Sequence, residues 1–242
     1  TSGYEGHGLT PSVLRAYKEV HEAGDLSVRM YSPISVPSAA KHDAELSDLM
    51  YQWSGTAAGR GMGDDHFRVG GVALDLADPT LAAMIGQNCC PPYEQWAGHF
   101  YQGLSDERFI RLGVEAVKHG LRLNTLICYG LERALRLFEA VDRQVSIRDR
   151  RCVGIHLLEG SDEQLKRIRD LGLVVTITPS LLYQHAAGLG LDKLGAAAIP
   201  LRRAVDAGIK MSLSTDNVPY SMLFSVWAAL TRVSEKDYGP SY

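Results

Sequence analysis

The sequence predicts an α/β protein built on one parallel sheet covered by helices. Strand-like alternation and helix-like apolar spacing follow one another along most of the chain, with short connections between them. A helix closed by glycine and followed at once by an apolar strand recurs at Ala23-Gly24, His119-Gly120, Leu171-Gly172 and Ala207-Gly208, which is how αβ loops read. The 242 residues suit a single domain of this class, which runs to about 250 residues. There is no repeat at the level of residue identity and no low-complexity tract.

Taken in order, residues 11–24 place Val13, Leu14, Tyr17, Val20 and His21 at helical spacing, and Gly24 ends that helix. Residues 26–31 alternate as a strand, and a second helix is expected over about 44–53. Residues 55–63 form a glycine-rich loop, where the backbone can turn sharply or be approached closely. A strand is expected over 67–76, then a long polar and aromatic loop through Cys89, Pro91, Pro92, Tyr93 and Trp96. Ser105 opens a helix carrying Leu112, Val114 and Val117 to Gly120. A strand over 121–128, a helix over 132–141 and a strand over 152–157 follow. Ser161-Asp162-Glu163-Gln164 has the capping-box form that starts the next helix. A strand over 173–178, a helix over 200–207 and a strand over 209–214 complete the series. In that last strand Ile209, Met211 and Leu213 alternate with Lys210, Ser212 and Ser214.

Composition excludes several function classes. Apolar content of 45% and charged content of 22% are ordinary for a globular protein. A net charge of -3 gives no electrostatic case for nucleic acid or an anionic membrane. No apolar run approaches the roughly 20 residues that span a bilayer. The four cysteines, Cys89, Cys90, Cys128 and Cys152, form neither a disulfide scaffold nor a CxxC knuckle, so a reducing, cytoplasmic setting is expected. The opening Thr1-Ser2-Gly3-Tyr4, without an initiator Met, reads as a fragment or a processed chain.

In parallel α/β folds the chemistry sits where strands end and βα loops begin. Those ends carry Glu5 and His7, Asp75 and Asp78, Cys128, His156, Thr178 and Asp216. Imidazole and carboxylate at successive strand ends are the donors that a zinc-like divalent metal takes, and such a metal lowers the pKa of bound water to about 7. Each residue also has a plain reading: a packed histidine for His156, a helix cap near Ser221 for Asp216, and water-facing loop residues for Glu5 and His7.

The runs Arg151-Cys152-Val153-Gly154-Ile155-His156, Leu171-Gly172 through Thr178-Pro179-Ser180, Ile199-Pro200 through Gly208-Ile209, and Ser214-Thr215-Asp216 resemble the amidohydrolase superfamily. They are most similar to its amidohydrolase family 3 branch, and the Gly120-Leu121 strand, the Glu132-Arg133-Ala134-Leu135 helix and Thr1-Ser2 are similar to it too. The resemblance is strongest over about residues 120–232. It implies a (β/α)₈ TIM-type barrel, one partial domain over residues 1–242, lacking its first strand and C-terminal elements. It also implies hydrolysis of a C–N bond, in an amide or cyclic amide of a small molecule, by metal-activated water. A metal-independent relative or a non-catalytic barrel subunit is the alternative.

Residue by residue, His156 matches the family's metal-binding histidine on the sixth strand. Asp216 matches the strand-eight aspartate that binds metal and acts as general base. Two positions depart from the family. Val72-Ala73-Leu74-Asp75-Leu76-Ala77-Asp78 contains no lysine to bridge two metals, and Cys128 stands where the strand-five histidine is expected. One divalent metal at most, zinc by preference, or none is therefore expected. Its ligands would be His156, Asp216 and Cys128, with Asp216, Glu5 and His7 in proton transfer. Tyr93, Trp96, Thr178 and Tyr183 are expected to line the substrate pocket. The expected partners are a small-molecule substrate, neither nucleic acid nor membrane, the missing barrel elements from the same precursor or another chain, and a second copy in a homo-oligomer.

Overall fold

A computed structural model describes residues 2–4, 8–37, 41–76, 103–128, 130–185, 191–194, 197–216 and 221–233. The strands are β1 (Ser2–Tyr4), β2 (Arg29–Ser35), β3 (Met62–Gly63), β4 (Phe67–Ala73), β5 (Leu123–Leu126), β6 (Val153–Ile155), β7 (Val174–Ile177) and β8 (Lys210–Leu213). The helices are α1 (Pro11–Glu22), α2 (Asp43–Ala57), α3 (Asp106–Lys118), α4 (Leu131–Asp142), α5 (Asp162–Asp170), α6 (Ser180–His185), α7 (Leu201–Asp206) and α8 (Met222–Thr231). The sheet runs β1-β2-β4-β5-β6-β7-β8 with every pairing on this path parallel, and β3 pairs antiparallel with β4. Among the described residues, seven parallel strands in chain order, with helices between them, form a curled (β/α) barrel-type sheet in which β1 and β8 are not paired with each other. The position of His156 after β6 and Asp216 after β8 fits strands two to eight of an eight-stranded barrel.

Local chemistry accounts for most boundaries. The four glycines expected to end helices, Gly24, Gly120, Gly172 and Gly208, all hold positive φ, between 68° and 80°. At Gly172 a Cβ would also lie 2.1 Å from the Arg148 carbonyl oxygen, so only glycine fits. Ser161 caps α5 as its sequence predicts: its N–H donates to Gln164 Oε1 at 2.9 Å, and its Oγ accepts from the Gln164 N–H at 3.2 Å.

Three elements differ from the sequence reading. β2 runs from Arg29 to Ser35 rather than over 26–31, continuing through Pro33 by a bulge between Ser32 and Ile34. The Pro33 carbonyl, freed from the ladder, accepts the Leu9 N–H at 2.8 Å. The glycine-rich loop contains the short strand β3, and Ser180–His185 forms a helix that sequence periodicity did not show.

The main core lies between sheet and helices. Phe109 of α3 and Phe138 of α4, both fully buried, meet edge to face at 5.8 Å, and Leu112, Val117, Leu135, Val141, Leu165, Ile168, Val175 and Ile177 belong to the same core. Each such side chain contributes about 1.5–3 kcal/mol by leaving water. A second, smaller cluster of Leu126, Val153 and Ile155, with Cys128 against it, lies on the other face of β5 and β6. On β8, Met211 and Leu213 are half-buried while Lys210 and Ser212 are exposed.

Candidate active site

The strands β6, β7 and β8 end side by side, and each is followed at once by a polar residue. His156 follows β6, Thr178 follows β7, and Ser214-Thr215-Asp216 follows β8. The ends are tied by hydrogen bonds rather than by packing alone. The His156 N–H donates to Thr176 Oγ1 at 2.9 Å, and the Ser214 N–H donates to the Ile177 carbonyl at 2.9 Å. His156 Nδ1 lies 2.7 Å from Thr178 Oγ1, which lies 2.6 Å from Ser214 Oγ. The Ser225 hydroxyl, reaching back from α8, donates to the Ser214 carbonyl at 2.8 Å, and the Ser180 hydroxyl donates to the Thr215 carbonyl at 2.6 Å.

This scaffold turns Nε2 of His156 toward Asp216, whose Oδ2 is 3.8 Å away. Both residues stand in the left-handed backbone region, with φ of 61° at His156 and 50° at Asp216, where few non-glycine residues sit. Both side chains keep some access to solvent, 17% and 33%, so a small molecule or ion can reach them. A gap of 3.8 Å between two polar atoms is too long for a direct hydrogen bond and is the kind that a third group spans.

The other expected site residues fall in different places. Thr178 is fully buried, with its hydroxyl engaged by His156 and Ser214, so it supports the site instead of lining a pocket. Tyr183 is buried in α6 and packs edge-on against Phe224 at 5.4 Å and Trp227 at 5.5 Å of α8, a structural position. Cys128 lies against Leu126, Val153 and Ile155. Among the described residues no three His, Cys, Asp or Glu side chains come together as a metal site, so Cys128 is not grouped there with His156 and Asp216. Asp75 follows β4, and its carbonyl accepts the Leu104 N–H at 2.8 Å. Glu5, His7, Asp78, Tyr93 and Trp96 lie outside the described residues. Sequence reasoning missed Thr176, Ser180, Ser214 and Ser225. Thr176 on β7 and Thr178 just after it, like Ser212 on β8 and Ser214 just after it, are polar at period two, and that pattern marks the face turned to the site.

The family model described as "Amidohydrolase family" matches residues 3–241. The chain belongs to the amidohydrolase family. Two solved structures show the fold that the family chain shares. An uncharacterized metal-dependent hydrolase from Pyrococcus furiosus is 18% identical, with a TM-score of 0.60 over 93% of this chain and 45% of its own. A second uncharacterized metal-dependent hydrolase, from Pyrococcus horikoshii OT3, is 17% identical, with a TM-score of 0.64 over 93% of this chain and 44% of its own. This amidohydrolase-family chain thus spans less than half the length of either. No curated protein matches it.

Proposed function

We propose that this chain carries part of the active site of a hydrolase that cleaves a C–N bond, in an amide or cyclic amide of a small molecule, with a divalent metal as cofactor. The observation that carries the reading is the His156–Asp216 pair, held 3.8 Å apart at the ends of β6 and β8 in a chain of this family. Imidazole and carboxylate suit zinc, so His156 through Nε2 and Asp216 through its carboxylate are the residues that would hold it. A catalytic zinc takes three protein ligands, so a further donor besides His156 and Asp216 would be needed to hold it. When bound, such a metal supplies Lewis acidity and a water of lowered pKa.

The chain's own residues supply position and proton transfer. Thr178 fixes the His156 ring. The bonds from Ser180 and Ser225 fix the backbone that carries Asp216. Asp216, partly exposed and facing the same gap, accepts the proton of the attacking water and passes it to the leaving nitrogen.

The test combines Asp216→Asn with a metal count per chain and turnover of a panel of simple amides, cyclic amides and aminated heterocycles. The expected result is one zinc-class ion per chain and a loss of more than tenfold in kcat/KM, at least about 1.4 kcal/mol, with the unfolding curve unchanged. Turnover retained within tenfold removes Asp216 from catalysis. Turnover with no metal present favours a metal-independent relative.

A further inference from the structure

We propose that α6 and α8 act as one clamp on the backbone in front of Asp216, with Ser180 and Ser225 as its two positioning residues and Tyr183 as its joint. Both serines are fully buried, so their hydroxyls bond within the protein. Ser225 of α8 donates to the Ser214 carbonyl at 2.8 Å, and Ser180 of α6 donates to the Thr215 carbonyl at 2.6 Å. A carbonyl only accepts, so chemistry fixes the direction of both bonds. The two carbonyls belong to successive peptide groups. One step earlier, the Ser214 N–H donates to the Ile177 carbonyl of β7 at 2.9 Å.

A peptide group is planar, so one hydrogen bond to it restrains six atoms together. Three such groups in a row are held here, each by a different element: β7, α8 and α6. The last of the three contains the Cα of Asp216, so the clamp fixes the point from which that side chain starts. Asp216 then turns the chain at φ 50°, a conformation that persists only where the surroundings impose it. The two arms of the clamp are joined. Tyr183 of α6 packs edge-on against Phe224 and Trp227 of α8, whose rings meet each other at 5.3 Å. Arg232 holds the far end of α8, donating to the Ala198 and Ile199 carbonyls at 2.6 and 3.1 Å. Ser180, Ser225 and Tyr183 thus act on Asp216 through the backbone and need no contact with substrate.

The inference rests on the hydrolase reading for its consequence in turnover, whereas the backbone conformation of Asp216 is a property of the chain itself. In the NMR spectrum the backbone couplings of Asp216 report its φ, and the carbonyl carbon shifts of Ser214 and Thr215 report the two serine bonds. In wild type, Asp216 is expected to hold a single left-handed conformation. Ser180→Ala and Ser225→Ala are each expected to let it sample the β region. Each should lower kcat roughly 10- to 100-fold, with KM within about threefold, for the best substrate of the amide panel. The double variant is expected to lose little more than either single one, since one clamp fails when either arm opens. Ser225→Thr keeps a hydroxyl and is expected to keep the wild-type signal, while Tyr183→Leu loosens Asp216 with both serines present. Phe109→Leu, a destabilising change in the helix-side core, is expected to leave the Asp216 signal unchanged. A signal that stays left-handed in both alanine variants overturns the proposal, and so do losses that simply add in the double variant. Should Ser225→Ala fail to fold, Ser180→Ala and Tyr183→Leu decide it. Failure of the hydrolase reading appears differently, as no turnover of the panel with Asp216 left-handed in wild type and released in the variants.

Discussion

His156 and Asp216 illustrate how a single residue can be costly to the fold and still be kept. A non-glycine residue in the left-handed region costs about 1–3 kcal/mol, and the two lie there at φ 61° and 50°. Aspartate and asparagine tolerate this region better than most side chains. Asp216→Asn therefore removes the charge without adding backbone strain, which is why the fold is expected to survive it. Charge acts differently at Asp64, in the β3–β4 connection. Its carboxylate accepts the N–H of His66 at 2.7 Å and of Phe67 at 2.9 Å, with His21 Nε2 3.0 Å away. The backbone bond from Phe67, then that from His66, and the nearby His21 hold its pKa down at about 2. A carboxyl that is more acidic folded than unfolded stabilises the fold above its unfolded pKa, near 4. That contribution fades as pH falls from about 4 through 2. Asp64→Asn keeps an acceptor but has no charge to lose, so its denaturant midpoint should fall less than that of wild type between pH 5 and 2. Parallel curves would remove Asp64 from the acid response. At Cys152 burial works the opposite way, pushing the thiol up to about 11, so it is inert at neutral pH.

Between elements, one contact recurs along the helix layer. The third residue of a helix reaches back to an acid in the first turn of an earlier one. Arg108 Nε donates to Asp43 Oδ1 at 2.7 Å, Arg133 Nε to Asp106 Oδ1 at 2.7 Å, and Arg203 Nε to Asp162 Oδ1 at 2.9 Å. In α5 the third residue is Gln164, and its Nε2 donates to Glu132 Oε2 at 3.2 Å. Helix starts follow strand ends, so this belt runs around the rim that carries His156 and Asp216. Its acids also stand at helix N-termini, where negative charge is favoured. The sequence displays the acids and the arginines, but their pairing depends on which helices become neighbours, which no local pattern encodes. What is local was legible: the Ser161 cap and the four helix-ending glycines read correctly from adjacent residues. The strand expected over 26–31 instead continues to Ser35, because a bulge lets it pass through Pro33. The strongest strap joins α5 to α4, where Arg167 donates from Nε to Glu139 Oε1 at 2.7 Å and from Nη1 to Glu132 Oε2 at 2.8 Å. Lysine offers a point charge in place of this fork. Arg167→Lys is expected to cost about 1 kcal/mol, a fall in Tm of roughly 2–4 °C. A Tm within a degree of wild type would show that the belt is ornamental to stability.

Over the whole molecule, burial is uneven in a way that follows the order of the sheet. The middle strands are covered on the helix side, whereas α1 has no buried residue at all, with Val13 and Val20 each 42% exposed. At the other end α8 carries no charged residue. One side of it packs Phe224 and Trp227 on Tyr183, while Leu223 and Leu230 stand 78% and 80% exposed, with Val226 between them. A helix apolar all round is normally enclosed. The sequence made the partial barrel and the His156–Asp216 pair legible, because strand ends and family motifs are local. It did not show the hydroxyl contact between Thr178 and Ser214, because the two meet only once β7 and β8 are aligned. Nor did it show which faces stay open. Among the described residues β1 pairs only with β2 and β8 only with β7, and unpaired edges beside apolar helix faces are where chains associate. We propose that a strand and helix of the same precursor, or of another chain, seat here. Alone, this chain is expected to self-associate as its concentration rises. Leu223→Lys with Leu230→Lys should restore the monomer in sedimentation velocity, at a stability change within about 0.5 kcal/mol, as for other exposed positions. A wild-type chain that stays monomeric across the concentration range, or a double variant that associates as strongly as wild type, would rule out the α8 face as the contact.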